Sequence, residues 1–253
     1  MSDGCYYIGM PKLRHNPQLI LSLISLITLI SLTLNIIFIF QNYQRNRVTR
    51  VVDGDSLDLA DGRRIRLLGL DAPERGECMS LEAYERLKEL ALNRHVRLKN
   101  TVKDDYGRLL ANVIIEEPYS WFRYLLRKGK TFLGLEVGTF PDPMLNRALV
   151  SEGLARFNSV NTEYKDILKQ AQEKAKTEKI GIWSELCRMV NPVSDCKIKG
   201  NIRAGKKTYF LPDCANYSEV IIDTSFGDRW FCTEDEAISA QFTIASGCDL
   251  DNR

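Results

Sequence analysis

Four acidic residues and two arginines carry the chemistry that can be read from this chain. Asp53 and Asp55 fall in VVDGDS (51–56), Asp71 and Glu74 in RLLGLDAPE (66–74), and Arg66 lies between the two groups. DDYGR (104–108) ends on Arg108. Carboxylates without histidine or thiol company suit a hard cation such as calcium. Two arginines beside a carboxylate-held cation suit a phosphodiester, because cation and guanidinium forks stabilise charge growing on the phosphoryl oxygens. A carboxylate not engaged with the cation can then position water.

These residues need a scaffold that brings them to one end. The pair Asp61-Gly62 separates two runs of strand length, Ser56–Ala60 and Arg63–Leu70. Asp-Gly between alternating segments is a strong hairpin signal. Asp53 and Asp55 then stand at the hairpin entrance, and Asp71 and Glu74 just past its exit. A tight twist returns the exit to the entrance and gathers the carboxylates. Ser80–Asn93 places Leu81, Tyr84, Leu87, Leu90 and Ala91 at helical spacing. Val96–Val102 and Arg108–Ile115 read as further strands, and 144–152 and 162–178 as helices. Five strands with a helix after the third is the order of an OB-type barrel.

The motifs VVDGDS, RLLGLDAPE, DDYGR, MLNRALVSEGLARF (144–157) and IGIWSE (180–185), in this order, resemble the staphylococcal nuclease family over about Val48 to Cys187. The resemblance implies a five-stranded OB-fold of that type (an α+β barrel with helices) and a calcium-dependent endonuclease acting on DNA and RNA with little sequence preference. It implies Asp55, Asp71 and the main-chain carbonyl of Ala72 as calcium ligands, and Glu74 as base or orienter of the attacking water. Arg66 and Arg108 fall on the phosphate-clamping arginines, and Tyr106 on a residue contacting a terminal phosphate. Asp53 supports the turn behind the ligands. Asp105 replaces a phosphate-contacting lysine, and Ser159 and Asn161 replace base-stacking tyrosines, so base preference is expected to differ while the chemistry survives. The alternative is an OB module that binds nucleic acid but has lost catalysis. The intact set Asp55, Arg66, Asp71, Glu74 and Arg108 speaks against it. A wall or adhesion protein has no positive support in the sequence.

Composition narrows the options. The 253 residues carry a formal net charge of only +2, so nucleic acid must be held by local arginines and a cation rather than by a basic surface. With only His15 and His95, nucleophile–histidine and histidine–metal mechanisms lack their parts, and His95 reads as a surface residue at a strand end. Residues 118–143 form an insertion relative to the family. Its Trp121, Phe122, Tyr124, Phe132 and Phe140 alternate with Arg123, Arg127, Lys128 and Lys130. A base-stacking platform and an extra hairpin packing its own aromatics fit this pattern equally. Gly129-Lys130-Thr131 is not a phosphate-binding loop, because Tyr124 stands where that motif needs glycine.

The chain divides into a short tail (1–16), a transmembrane helix (17–40), a basic linker (41–47), the nuclease-like domain (48–187) and a small Cys-rich module (196–253). Leu19–Phe40 is uncharged and, as a helix, about 33 Å long, enough to cross a hydrocarbon core of about 30 Å. No small-x-small pair follows it, so an uncleaved anchor is preferred over a cleaved leader, which would give a secreted form. Lys12 and Arg14 precede the span, and Arg45, Arg47 and Arg50 follow it, so charge counting puts the larger part in the cytoplasm. Three features oppose that count: a nuclease facing its own genome, scarce cytosolic calcium, and six cysteines on one side of the span. The nuclease domain is therefore expected outside, on a single-pass protein. No protein partner is expected. Cys196, Cys214, Cys232 and Cys248 read as disulfides, with a zinc site as the rival; no CxxC pair is present and the pairing is open. The module resembles one appended to some bacterial nucleases of the family, and no activity carries across with it. TEDE (233–236) opens a short helix to Phe242 with a capping box.

Overall fold

The computed structural model describes residues 17–116, 144–158, 163–192 and 195–248. The tail, the insertion (from 118 to 143), Ser159 and Asn161 lie outside the described residues. The chain divides into two units, Met1–Gln44 and Arg45–Arg253.

The first unit is helical: α1 spans Pro17–Arg45. Its leucine and isoleucine side chains from Leu21 to Phe40 are exposed. Three of its polar side chains bond back to carbonyls one turn earlier: Thr28 Oγ1 to Ser25 O (2.8 Å), Thr33 Oγ1 to Leu29 O (2.8 Å) and Asn35 Nδ2 to Ser31 O (2.7 Å). Polar groups satisfied within the helix leave an apolar cylinder, the condition that a bilayer imposes. By length and composition α1 can cross a membrane.

In the second unit, strands β1 (Val48–Val51), β2 (Ser56–Leu59) and β3 (Arg64–Leu67) form a meander. A short β4 (Leu70–Asp71), α2 (Ser80–Ala91), β5 (His95–Lys103) and β6 (Leu109–Glu116) follow. The sheet order is β1-β2-β3-β6-β5, with β3 and β6 parallel and the other neighbours antiparallel. α2 buries Ala83, Leu87, Leu90 and Ala91 in the core that holds Leu57, Ile65, Leu67, Val96 and Val113. α3 (Leu145–Ser151) adds Leu145 and Leu149 to the same core, and α4 (Lys165–Thr177) adds Leu168. The result is an OB-fold-like α+β arrangement. The expected strand Arg63–Leu70 is broken. Gly69 at φ 78° turns the chain, and Leu70–Asp71 leaves the main sheet to pair with β7 (Arg156–Phe157). Buried Asn146 stitches this break, donating to Leu68 O (2.9 Å) and accepting from Val113 N (2.9 Å).

The C-terminal segment builds β8 (Arg188–Met189), β9 (Ile198–Arg203), β10 (Lys206–Phe210), β11 (Ile222–Asp223), β12 (Arg229–Phe231), α5 (Glu234–Ser239) and β13 (Thr243–Ile244). β12-β9-β10-β13 is one sheet and β8 pairs with β11. Its core is small, with Ile198, Tyr209, Phe231, Ala237 and Phe242 buried. Lys199 is buried against the Tyr217 and Trp230 rings, its Nζ donating to Tyr217 O (2.8 Å) and Val220 O (2.7 Å), and burial holds its pKa below the usual lysine value. Thr233 caps α5 by accepting from Glu236 N (3.2 Å), while Glu236 accepts from Cys232 N (2.8 Å). Disulfides join Cys196 to Cys232, Cys214 to Cys248 and Cys78 to Cys187. The four terminal cysteines thus sit as two pairs and do not converge on one point as zinc ligands would. His95, at the start of β5, is half-buried rather than fully exposed.

Candidate active site

The site begins at the hairpin entrance. Asp55 N donates to Asp53 Oδ1 (3.1 Å), which fixes the turn between them. Gly54 has no room for a side chain, since a Cβ there would lie 2.7 Å from Ala72 Cβ and 2.9 Å from Ala83 Cβ. The entrance therefore packs directly on the hairpin exit and on α2. That contact brings Asp55 to Ala72, whose amide lies 3.3 Å from Asp55 Oδ2.

The β2–β3 register sets Arg66 opposite Ser56, beside Asp55. Its Nη1 donates to Asp55 Oδ1 (2.6 Å) and its Nη2 to Asp71 Oδ1 (2.5 Å), so one guanidinium bridges both carboxylates. Ser56 Oγ adds a bond to Asp55 Oδ1 (2.9 Å), and Asn158 Nδ2 reaches Asp71 Oδ2 (2.8 Å). Asp55 is only 3% exposed. Burial pushes its carboxyl well above the usual carboxylate range, Arg66 pulls it down, and neighbouring Asp53 pushes it up again. Burial acts to lower the Arg66 pKa, but Asp55 and Asp71 outweigh it and hold the guanidinium firmly protonated.

Glu74 stands exposed on the turn after Pro73. Its amide donates to Glu77 Oε2 (2.8 Å), and Glu77 N donates back to Glu74 O (2.9 Å). Arg108 and Tyr106 occupy a separate exposed turn. Asp104 organises it by accepting from Tyr106 N (3.0 Å), Arg108 N (2.8 Å) and Arg108 Nε (2.6 Å). The Arg108 guanidinium lies 5.3 Å from the centre of the Tyr106 ring. Arg66 pairs with Leu110 across β3–β6, and Arg108 lies in the turn just before β6, its guanidinium held by Asp104. The structure thus gathers Asp53, Asp55, Arg66, Asp71 and Ala72 into one cluster. It sets Glu74 two residues beyond Ala72, and Arg108 with Tyr106 on the adjoining turn. An open groove of about 520 Å³ runs beside the cluster, lined by Asp53, Pro73, Arg75, Leu81 and Tyr84.

Sequence reasoning missed Asn158, Glu77 and Asp104. The Asp104 role has a sequence signal, an Asp at the first position of a turn that ends on Gly107. Asn158 has none, because it meets Asp71 across 87 residues of chain.

Asp53, Asp55 and Asp71 are hard oxygen donors, and a single guanidinium balances them. Burial first, and then neighbouring Asp53, raise Asp55 against the pull of Arg66, so the donor set can take further positive charge and fits a divalent cation such as calcium. Among the described residues no group of three or more His, Cys, Asp and Glu is arranged as a cage. The fit is therefore to a cation that keeps main-chain and water ligands.

The Staphylococcal nuclease homologue family matches residues 64–185. The thermonuclease of Staphylococcus intermedius is 34% identical over 141 residues, 54% of this chain and 74% of the relative. The thermonuclease of Staphylococcus hyicus is 34% identical over 156 residues, 56% of this chain and 78% of the relative. An uncharacterized endonuclease of Escherichia coli O157:H7 is 26% identical over 142 residues, 55% of this chain and 76% of the relative. Site and relatives together define a hydrolase of the nuclease class. The chain belongs to the staphylococcal nuclease homologue family.

Proposed function

We propose that this nuclease is a calcium-dependent, sequence-tolerant endonuclease of DNA and RNA, anchored to a membrane by α1 with the nuclease domain on the outer side. The bridge Asp55–Arg66–Asp71 carries the reading. It holds two carboxylates, buried Asp55 and half-exposed Asp71, on one guanidinium, a charge balance suited to cation and phosphate together. Asp55, Asp71 and the carbonyl of Ala72 would hold calcium, which when bound supplies Lewis-acid stabilisation of phosphoryl charge. Asp53 fixes the turn behind them. Glu74, exposed at the mouth, takes a proton from water as its oxygen adds to phosphorus and the bond to the leaving ester oxygen breaks. Arg66 and Arg108 neutralise the phosphoryl oxygens as charge grows, and Tyr106 lines the approach to a terminal phosphate. The closed OB barrel, with the Cys-rich module (196–253) packed against it, is part of the same proposal.

The apolar, uncharged face of α1 supports the anchor, and the three disulfides after it support an oxidising outer side. The test is cleavage of single-stranded DNA and RNA by the full chain in detergent. Rapid cleavage in millimolar calcium and none in chelator is expected. Folded protein with no cleavage at any calcium level would leave the binding-module reading instead.

A further inference from the structure

The C-terminal segment lies outside the family match, yet it reaches the two places where the site is held. Cys78, four residues after Glu74, is bonded to Cys187, and its amide donates to Thr224 O (3.2 Å). Thr224 in turn donates to Cys187 O through its amide (2.8 Å) and hydroxyl (3.1 Å). Glu77, whose carboxylate receives the Glu74 amide, is pressed against Gly227; a Cβ there would lie 3.0 Å from Glu77 Oε1. The second contact is Arg156, which pairs with Asp71 across β4–β7. Its Nη2 donates to buried Asp223 (2.7 Å) and to Ser225 Oγ (2.7 Å), and its Nη1 to Ser225 O (3.1 Å). The guanidinium sits 5.4 Å from the Trp183 ring centre and 5.1 Å from that of Phe226. Two residues on, Asn158 holds Asp71.

We propose that the turn Asp223–Gly227 is a positioning element of the nuclease site, acting on the Glu74 loop through Glu77 and Cys78 and on Asp71 through Arg156. This rests on the site reading above. A tether at Cys78 alone would add stability. The two routes together fix the separation between the water-activating carboxylate and a cation-holding carboxylate, on which the rate depends steeply: about 1 Å of misplacement can cost about a hundredfold. Arg156 touches neither substrate nor reacting atoms; it is a positioning residue.

The test uses the full chain in detergent and three forms: Arg156→Gln, Cys78→Ser with Cys187→Ser, and Cys214→Ser with Cys248→Ser as a control far from the loop in sequence. Two quantities are read: kcat and KM on a single-stranded oligonucleotide, and amide hydrogen exchange of residues 73–80 in chelator, which needs neither calcium nor turnover. The first two forms are expected to lose about tenfold in kcat. KM should stay within about twofold, and the 73–80 amides should exchange faster while the β1–β3 sheet is unchanged. Arg156→Lys, which keeps the charge but loses the fork, should recover part of kcat. The control should move neither quantity. An unchanged kcat, whether or not the loop loosens, overturns the proposal, as does a fall in kcat with the loop exchange unchanged. If Arg156→Gln does not fold, Asp223→Asn and disulfide reduction of the wild type give the same two readouts. An inactive wild type sinks the nuclease reading as well; an active one with unaffected variants sinks this proposal alone.

Discussion

One guanidinium does two jobs at the residue scale. Arg66 neutralises Asp55 and Asp71, and in the proposed mechanism it also faces the phosphoryl group. Lysine at this position keeps a charge but cannot bond both carboxylates in one plane, so Arg66→Lys and Arg108→Lys are each expected to slow turnover. Glu74→Gln nearly preserves shape while removing the base, so kcat should fall by about 100-fold or more with KM largely kept. Steady-state kinetics with a fluorescent oligonucleotide checks all three; near-wild-type kcat in every variant would remove these residues from the mechanism. Asp55, Arg66 and Asp71 were legible in the sequence because the hairpin that joins them is local. Asn158 was not, because an ordinary asparagine says nothing of a partner 87 residues away. Arg108 was legible as a residue but not in its partner: Asp104 holds it in its own turn.

Elements decide whether those residues meet. Asp58 on β2 is clasped from both neighbouring strands, by Arg50 of β1 (2.6 Å) and Arg64 of β3 (2.8 Å). The bond from Arg64 is the largest influence holding its carboxyl below the usual 3.8; burial, the next largest, raises it, and Arg50 adds to the lowering. A depressed carboxylate stabilises the fold above its unfolded value and loses that contribution as pH falls through the folded one. Asp58→Asn should therefore lower Tm at pH 7, with the gap closing below pH 3.8 and shrinking in salt; thermal melts of both proteins across pH test it. Gly54→Ala forces a Cβ against Ala72 and Ala83 and should cost about 1–3 kcal/mol in a denaturant melt, with activity falling as Asp55 shifts. The meander, α2 and the β5–β6 pair were readable from alternation, helical spacing and turn residues. The break after Leu67 was not, since LLGLD continues the apolar run and only the pairing of Leu70–Asp71 with Arg156–Phe157 draws it out of the sheet. Cysteine pairing was equally hidden, because spacing does not reveal that Cys78 lies beside Cys187.

At the scale of the whole molecule, the proposed anchor α1 carries a prediction of which side of a membrane the nuclease domain would face. The basic residues flanking α1 give an ambiguous orientation, with Lys12 and Arg14 before it and Arg45, Arg47 and Arg50 after. Chemistry decides where charge counting does not. Cys78, Cys187, Cys196, Cys214, Cys232 and Cys248 all follow α1, and all six are joined in disulfides, which persist in an oxidising compartment. The calcium site proposed above has two carboxylate ligands and, among the described residues, no cage, so weak binding that draws on the calcium of the exterior is expected. On intact cells, added protease is therefore expected to remove the chain after Arg50, while a membrane-impermeant thiol reagent labels Cys78–Cys248 only after reduction. If the segment is shielded and its cysteines react without reductant after lysis, the orientation is reversed. The segment after Cys187 would then have to hold its small core of Ile198, Tyr209, Phe231, Ala237 and Phe242 without covalent help.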